Sequence, residues 1–329
     1  MSAPYFYPKM RKKAQVLMII LWILVILTLL AVSIAYRVSL GLRLSIYQRE
    51  RLKAHYLARA GINKAITEIE KDSPDCDSLK DKWADNKETF SQMKLGEDEE
   101  GVISISYIDK EEEKFGVRDE ERKININKAP PELLTALLEK YAGMDGLKIA
   151  DNIRAWRGDA GVAAPDYKDL DYTNKAAKFS NTQELVLVRD ISPEVYNQLK
   201  ESITVYGSGK LNINTVSDET LQMLVNSCIK KLENEGNNER EPNDLVERII
   251  QLRNSNIIFG SISDLRTELQ KQADLTSAQN NLINKLEGLI DTKSTCFFII
   301  SHGKINKISY TISCIFDRAK KEIIYWHES

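Results

Sequence analysis

The run from Val16 to Ala35, VLMIILWILVILTLLAVSIA, constrains this chain more than any other feature. It is apolar apart from Thr28 and Ser33, and it holds no charged residue, Gly or Pro. As a helix rising about 1.5 Å per residue it spans about 30 Å, the thickness of one hydrocarbon core. No other segment matches it in length and apolarity. A basic cluster, Lys9, Arg11, Lys12 and Lys13, precedes it. Basic flanks stay on the cytoplasmic side, so the body of the chain is expected outside that compartment. A cleaved secretory signal has a shorter apolar stretch, about 7–15 residues. Here helical composition continues from Tyr36 to Ile69 with no Pro and only Gly41 and Gly61. Leu40, Leu44, Tyr47, Leu52, Tyr56, Leu57, Ala60 and Ile66 recur at mixed spacings of about three to five, tolerable for one helical face. The prediction is a single helix, half in lipid and half projecting outward.

The remainder of the 329 residues, in a chain 43% hydrophobic, is enough for a sizeable core and two domains. The net charge of −2 carries no nucleic-acid signal. Residues 36–64 are locally basic, with Arg37, Arg43, Arg49, Arg51, Lys53, Arg59 and Lys64 against Glu50 alone. Such a segment just beyond the membrane suits anionic headgroups, acidic partner helices or plain solvent. Cys76, Cys228, Cys296 and Cys314 show no C-x-x-C spacing, which argues against zinc and thioredoxin-like chemistry. Disulfides are permitted outside the cytoplasm, and Cys296–Cys314 is the candidate pair because both lie in an expected hairpin. His55, His302 and His327 are scattered, and no G-x-S-x-G, P-loop or G-x-G-x-x-G occurs. The chain is expected not to be an enzyme.

Changes of period mark the organisation. Residues 71–99 are polar, a loop with one short helix near Leu79 to Phe90. GVISISYIDK (101–110) alternates like a strand, with residues 114–127 as its expected partner across Lys110 to Glu113. From Ala129 to Thr292 the pattern is one of short helices. TCFFIISHG, KINKISYTISCIFD and KEIIYWHES then return to strands. One sheet interrupted by an insertion, with the long helix packed on it, makes an α+β fold.

The insertion repeats itself. KININKAPPELLTALL (123–138) matches KLNINTVSDETLQMLV (210–225), each placing Asn-Ile-Asn before a helix start with acidic residues in the first turn. ADNIRAWR (150–157) parallels VERIIQLR (246–253), FSNTQELVLV (179–188) parallels FGSISDLRTEL (259–269), and SPEVYNQLKESITVY (192–206) parallels TSAQNNLINKLEGLI (276–290). The charged stretch 230–244 is an expected loop of the second copy. Between Trp156 and Phe179 lies an acidic loop with Asp159, Asp166, Asp169 and Asp171. Several carboxylate oxygens on an irregular loop are what a hard cation such as Ca²⁺ needs.

KKAQVLMIILWILVILTLLA followed by YLARAGINKAI resembles the precursors of type IV pilin-like proteins, and is similar to the minor pseudopilin K subunit of type II secretion. With the two Asn-Ile-Asn modules between strands, the resemblance covers nearly the whole chain. It implies a leader peptide (1–14), a pilin-like helix (15–70) with residues 16–35 in the membrane, and an α+β domain from 71–127 and 294–329. It further implies two inserted SAM-like, helix-hairpin-helix-like modules, 128–209 and 210–293. Prepilin peptidase cleavage would fall between Ala14 and Gln15, with methylation of the new amine; the family more often has Gly before the cut. The fifth mature residue would be Ile19, where main pilins carry a Glu that pairs with the N-terminal ammonium of the subunit above. The family's calcium loop follows a similar Trp-containing segment, although Gly158 interrupts the usual acidic run here. Implied partners are other minor pseudopilins in a heterotrimer, the major pseudopilin, the inner-membrane assembly platform, and secretin or secreted cargo. The implied location is the bacterial inner membrane, single-pass, with a periplasmic body.

A type IV pilus minor pilin, a membrane-anchored DNA receptor and a generic anchored scaffold remain open. DNA binding fits the charge poorly: residues 124–294 hold 20 basic against 25 acidic side chains. The turns VRDIS and QADLT lack the glycine that exposes backbone N–H groups to phosphate, and Asp145 sits between Gly143 and Gly146.

Overall fold

The apolar run and the stretch after it form one helix, α1 (Met10–Lys71). A computed structural model describes residues 10–72, 75–94, 101–109, 112–234 and 244–329. The expected leader positions up to Lys9, the turn at Lys110 and much of the charged loop 230–244 lie outside the described residues. Among those described, α1 is the one helix long and apolar enough to cross a membrane, as suits a single-pass anchor. Its side chains from Val16 to Tyr47 are exposed, with nothing packed on them. Burial starts at Ala54 and recurs at Ala58, Ile62, Ala65 and Ile69, a stripe of three- and four-residue steps. Two glycines set how closely that stripe sits on the sheet. A Cβ on Gly303 would collide with the backbone of Ala54 and Ala58, and one on Gly61 with Ser301. Helix and strand therefore approach at backbone distance.

The chain continues through α2 (Lys87–Phe90), β1 (Gly101–Ile105), β2 (Tyr107–Asp109), β3 (Glu112–Lys114), β4 (Arg118–Asp119) and β5 (Ile124–Asn125). The first module adds α3 (Pro131–Ala142), α4 (Gly146–Trp156), a 3₁₀ turn at Thr182–Leu187, α5 (Pro193–Leu199) and β6 (Ile203–Thr204). The second adds β7 (Leu211–Asn212), α6 (Asp218–Asn234), α7 (Asp244–Asn254), α8 (Ile262–Gln272), α9 (Ser277–Glu287) and β8 (Ile290–Asp291). Three long strands close the chain: β9 (Cys296–Ile305), β10 (Ile308–Asp317) and β11 (Glu322–Glu328). The main sheet runs β1-β9-β10-β11, antiparallel throughout, with β4 also on β9. This is the α+β arrangement the strand and helix patterns predict.

Strand partners differ from expectation. Residues 114–127 do not pair with 101–110 as one hairpin. β1 instead pairs with β9, Gly101 opposite Ile305, while β2 and β3 make a small hairpin of their own. Alternation marks a strand but not its neighbour, and this neighbour lies across the whole insertion. The short helix expected at 79–90 shrinks to α2, capped by Asn86. Trp83, Phe90, Phe297, Ile299, Ile312, Cys314 and Phe316 fill the core between α1 and the sheet.

The modules share a second core, which has no residue in common with the first. It runs from Ile124 to Ile290 and includes Leu134, Leu138, Ile153, Trp156, Leu221, Leu224, Ile249, Phe259, Leu265, Leu282 and Leu286. α3 and α6, the corresponding first helices of the two copies, pack directly on each other. Local signals place the helix starts. Pro131 occupies the first turn of α3, Ser192, Ser261 and Thr276 cap α5, α8 and α9, and Thr276 forms a reciprocal capping box with Gln279.

Candidate functional site

The two Asn-Ile-Asn segments make the same clamp. In the first, Asn125 Oδ1 accepts from the Asn127 backbone N–H at 2.9 Å. Asn127 then clamps Phe179, donating from Nδ2 to its carbonyl at 2.9 Å and accepting its N–H at 2.8 Å. In the second, Asn212 Oδ1 accepts from Asn214 N–H at 2.9 Å, and Asn214 clamps Phe259 through the same two bonds at 3.0 Å each. Each segment ends in a parallel bridge to the last strand of its own copy, β5 to β6 and β7 to β8. The second Asn of each motif thus closes its module on itself, but the first Asn differs: Asn125 Nδ2 donates to the Tyr206 carbonyl at 2.7 Å, whereas Asn212 Nδ2 reaches outside its module to the Asp77 carbonyl at 3.1 Å and Ser294 Oγ at 2.8 Å.

Three consecutive carboxylates join both modules to the sheet, a feature missed by motif reading because Arg118–Lys123 looks like a solvated charge run. Asp119 accepts from the Thr215 and Ser294 hydroxyls at 2.7 Å each. Glu120 accepts from Thr204 at 2.5 Å and pairs with Lys123 at 3.0 Å. Glu121 accepts from the Thr295 hydroxyl, from Cys296 N–H at 3.1 Å and from Ser208 N–H at 3.2 Å. All three are buried. Burial raises Asp119 against the opposing pull of nearby Arg122, with Asp77 adding to the rise, and burial pushes Glu121 up to about 7, with Asp119 adding to it. Burial would raise Glu120 too, but Lys123 and Arg118 beside it leave it lowered. Close by, Asp77 is fully buried and held bidentately by Arg318 at 2.9 and 2.5 Å. Between sheet and modules lies a cleft of about 750 Å³ lined by Arg118, Arg122, Phe298, Glu201 and Asp218.

The structure does not gather the four acids of the loop at one point. Asp159 is taken bidentately by Arg157 at 2.7 and 2.6 Å, with Arg154 at 3.4 Å, and these guanidinium bonds hold its carboxyl below the usual range. Asp169 is taken bidentately by Arg189, which lowers it likewise. Asp166 accepts from Lys168 N–H at 3.0 Å, and Asp171 is exposed on the shallow cleft between Pro165 and Asn174. Among the described residues, the one group of three possible ligands that converges is Asp72, Asp77 and Asp81. There Asp77 serves Arg318, Asp72 accepts from Trp83 Nε1 and Asp81 from Ser78. As placed here, Asp159, Asp166, Asp169 and Asp171 share no common point. Guanidinium groups supply the positive charge, and Trp156, Tyr167 and Tyr172, with centroids 5.8–6.2 Å apart, supply packing.

The disulfide expectation is also corrected. All four cysteines are free thiols. In the hairpin Cys296 sits opposite Asp317 and Cys314 opposite Ile299. That odd offset puts the two sulfurs on opposite faces of the sheet, where no bond can form. Ala14 and Gln15 lie exposed near the start of α1, and Ile19 is exposed on the next turn.

A helix bare along its first half and seated on an antiparallel sheet along its second, with a helical head inserted into that sheet, defines a pilin-type α+β fold. A chain in the crystal structure of the GspK-GspI-GspJ complex from the type 2 secretion system of enterotoxigenic Escherichia coli shares it, with a TM-score of 0.61. The likeness covers 87% of this chain and 99% of that chain at 13% identity. The two chains share the α+β fold of a long N-terminal helix on an antiparallel sheet with further helices. No family model matches the sequence, and no curated protein matches it.

Proposed function

We propose that the chain is a minor pseudopilin of type II protein secretion that caps the tip of a periplasmic pseudopilus and starts its assembly. The observation that carries this reading is the coincidence of a bare apolar helix, a pilin-type sheet and a wide inserted head in one fold shared with the GspK complex. Prepilin peptidase would cut between Ala14 and Gln15, leaving an amine open to methylation. Ile19 then takes the fifth mature position. A subunit without a carboxylate there cannot neutralise a buried ammonium, so it suits the end of a filament rather than its shaft. The head argues the same way, because it would obstruct a subunit stacked above.

Partners in this reading are two other minor pseudopilins, as the solved complex contains GspI and GspJ, then the major pseudopilin and the inner-membrane platform. Secretin or cargo would meet the head. The test is co-purification of the chain with candidate minor pseudopilins, followed by gold labelling of assembled filaments. Label at one end is expected, and label spread along the shaft would remove the tip assignment. Mass spectrometry of the mature protein should show Gln15 first, and an intact N-terminus would sink the processing step.

A further inference from the structure

The main sheet has one closed edge and one open edge. On the closed side, β1 exchanges two backbone bonds at Ile103 with Met93, both 2.8 Å. On the other side β11 pairs with β10 alone among the described residues. The phase of that pairing decides which groups β11 leaves free. Ser329 and Thr311 exchange both backbone bonds at 3.0 Å. Bonded pairs alternate in an antiparallel ladder, so His327–Ser313 and Tyr325–Ile315 are bonded, while Trp326 and Glu328 turn N–H and C=O outward. Natural open edges are blunted by Lys, Pro or brevity. β11 reads EIIYWHE, has neither Lys nor Pro, and exposes Ile323, Tyr325 and Trp326 by more than a third each.

A fixed anion stands at the end of this edge. Glu328 accepts from the Tyr310 hydroxyl at 2.7 Å and Trp326 Nε1 at 2.7 Å, and lies 3.4 Å from His55 Nε2. Two of these donors are neutral, and the three contacts together hold the exposed carboxylate in place. Trp326 and Glu328 share the sheet face that carries α1, since they oppose Cys314 and Ile312 of the core. We propose that the β11 edge takes up an extended segment of another protein as an added strand, with β-branched residues opposite Trp326 and a Lys or Arg opposite Glu328. Main-chain bonds would supply affinity and the cation would set register. A second copy of this chain fits less well. The longest antiparallel self-pairing, centred on Tyr325, sets Glu322 against Glu328 at both ends, and like charges in opposition destabilise a ladder.

The experiment uses the full chain in lipid nanodiscs and two labelled hexapeptides, Lys-Thr-Val-Thr-Val-Thr and its counterpart beginning with Glu. A second form of the chain carries N-methyl on the Trp326 amide, made by ligating a synthetic 314–329 segment at Cys314. That amide is outside the β10 ladder, so near-ultraviolet circular dichroism should be unchanged. Saturable binding of the Lys peptide is expected, several-fold weaker for the Glu peptide and at least about tenfold weaker on the methylated chain. Should the methylated chain misfold, Glu328→Gln must erase the Lys preference instead. No saturable binding, binding indifferent to both changes, preference for the Glu peptide, or a methyl-sensitive homodimer would overturn the proposal.

Discussion

Asn127 and Asn214 do the same job in different surroundings, and the difference sets what each is worth. Asn214 is buried and Asn127 half-buried, so water can answer the Phe179 backbone when Asn127 is removed but not the Phe259 backbone when Asn214 is. Leaving a buried donor and acceptor unmade costs about 1–3 kcal/mol each. Asn214→Ala should therefore lower stability by about 2–4 kcal/mol and Asn127→Ala by distinctly less, read from urea midpoints. Equal losses would show the clamps to be equivalent. At Glu121 the sign of the pH effect follows from its elevated value of about 7. The folded state holds this proton more tightly than the unfolded chain, whose Glu titrates near 4.5. Stability is fullest below 4.5 and falls as pH rises from there through 7. Two and a half units at about 1.4 kcal/mol each give on the order of 3 kcal/mol. Glu121→Gln should flatten the decline in melting temperature between pH 5 and 8, and an unchanged slope would place the titration elsewhere.

Among elements, those stating their own period were legible before the structure, and those depending on a distant answer were not. The continuity of α1 and the alternation of β9 and β10 are written locally. The face that α1 turns to the sheet is not: Leu40, Leu44, Tyr47, Leu52 and Tyr56 of the expected face are exposed, and the buried stripe is Ala54, Ala58, Ile62, Ala65 and Ile69. That β1 belongs beside β9 is not written locally either, because register is settled by packing between segments far apart in sequence. The acidic loop was legible only as a set of acids. Asp159, Asp166, Asp169 and Asp171 were visible together, but the cation that takes each was not: Arg189, which claims Asp169, lies beyond the loop, and Arg157, at its start, claims Asp159. Arg157 is nearly buried and also donates to the carbonyls of Ile126 and Ala129 at 2.8 and 3.0 Å, so it ties the loop to the first Asn-Ile-Asn segment. The repeat was readable, the bidentate clamps it serves were not. Arg189→Gln should speed proteolysis and amide exchange in residues 159–178 while leaving α3 and α4 protected. Millimolar calcium against chelator should leave the melting temperature of the parent chain unchanged, and a calcium-dependent rise would restore a cation to this loop.

At the scale of the whole molecule there are two separate cores, one under α1 and one in the inserted head. The core under α1 draws on residues 58–117 and 297–316, the head on 124–290, and they share none. Entry to and exit from the insertion lie side by side, for Glu120 N–H bonds to the Cys296 carbonyl at 2.8 Å. A short Gly-Ser linker can therefore replace residues 122–294 without stretching the sheet. Three buried groups need attention in such a chain. Glu120 loses Thr204 and Lys123, Glu121 its Ser208 bond and Asp119 its Thr215 and Ser294 bonds, and stranded carboxylates would destabilise the remainder, so all three become Asn or Gln. Arg318 keeps Asp77, so that ion pair survives the deletion. The headless chain should keep protected amides in β9 and β10 and still join other minor pseudopilins through α1. If the head is what makes this subunit an end piece, gold label on the headless form should move from one tip into the shaft. If Ile19 is the stronger bar, the label should stay at the tip until Ile19→Glu is added. A headless chain confined to the tip even with that change would refute both accounts of capping, while the fold would stand.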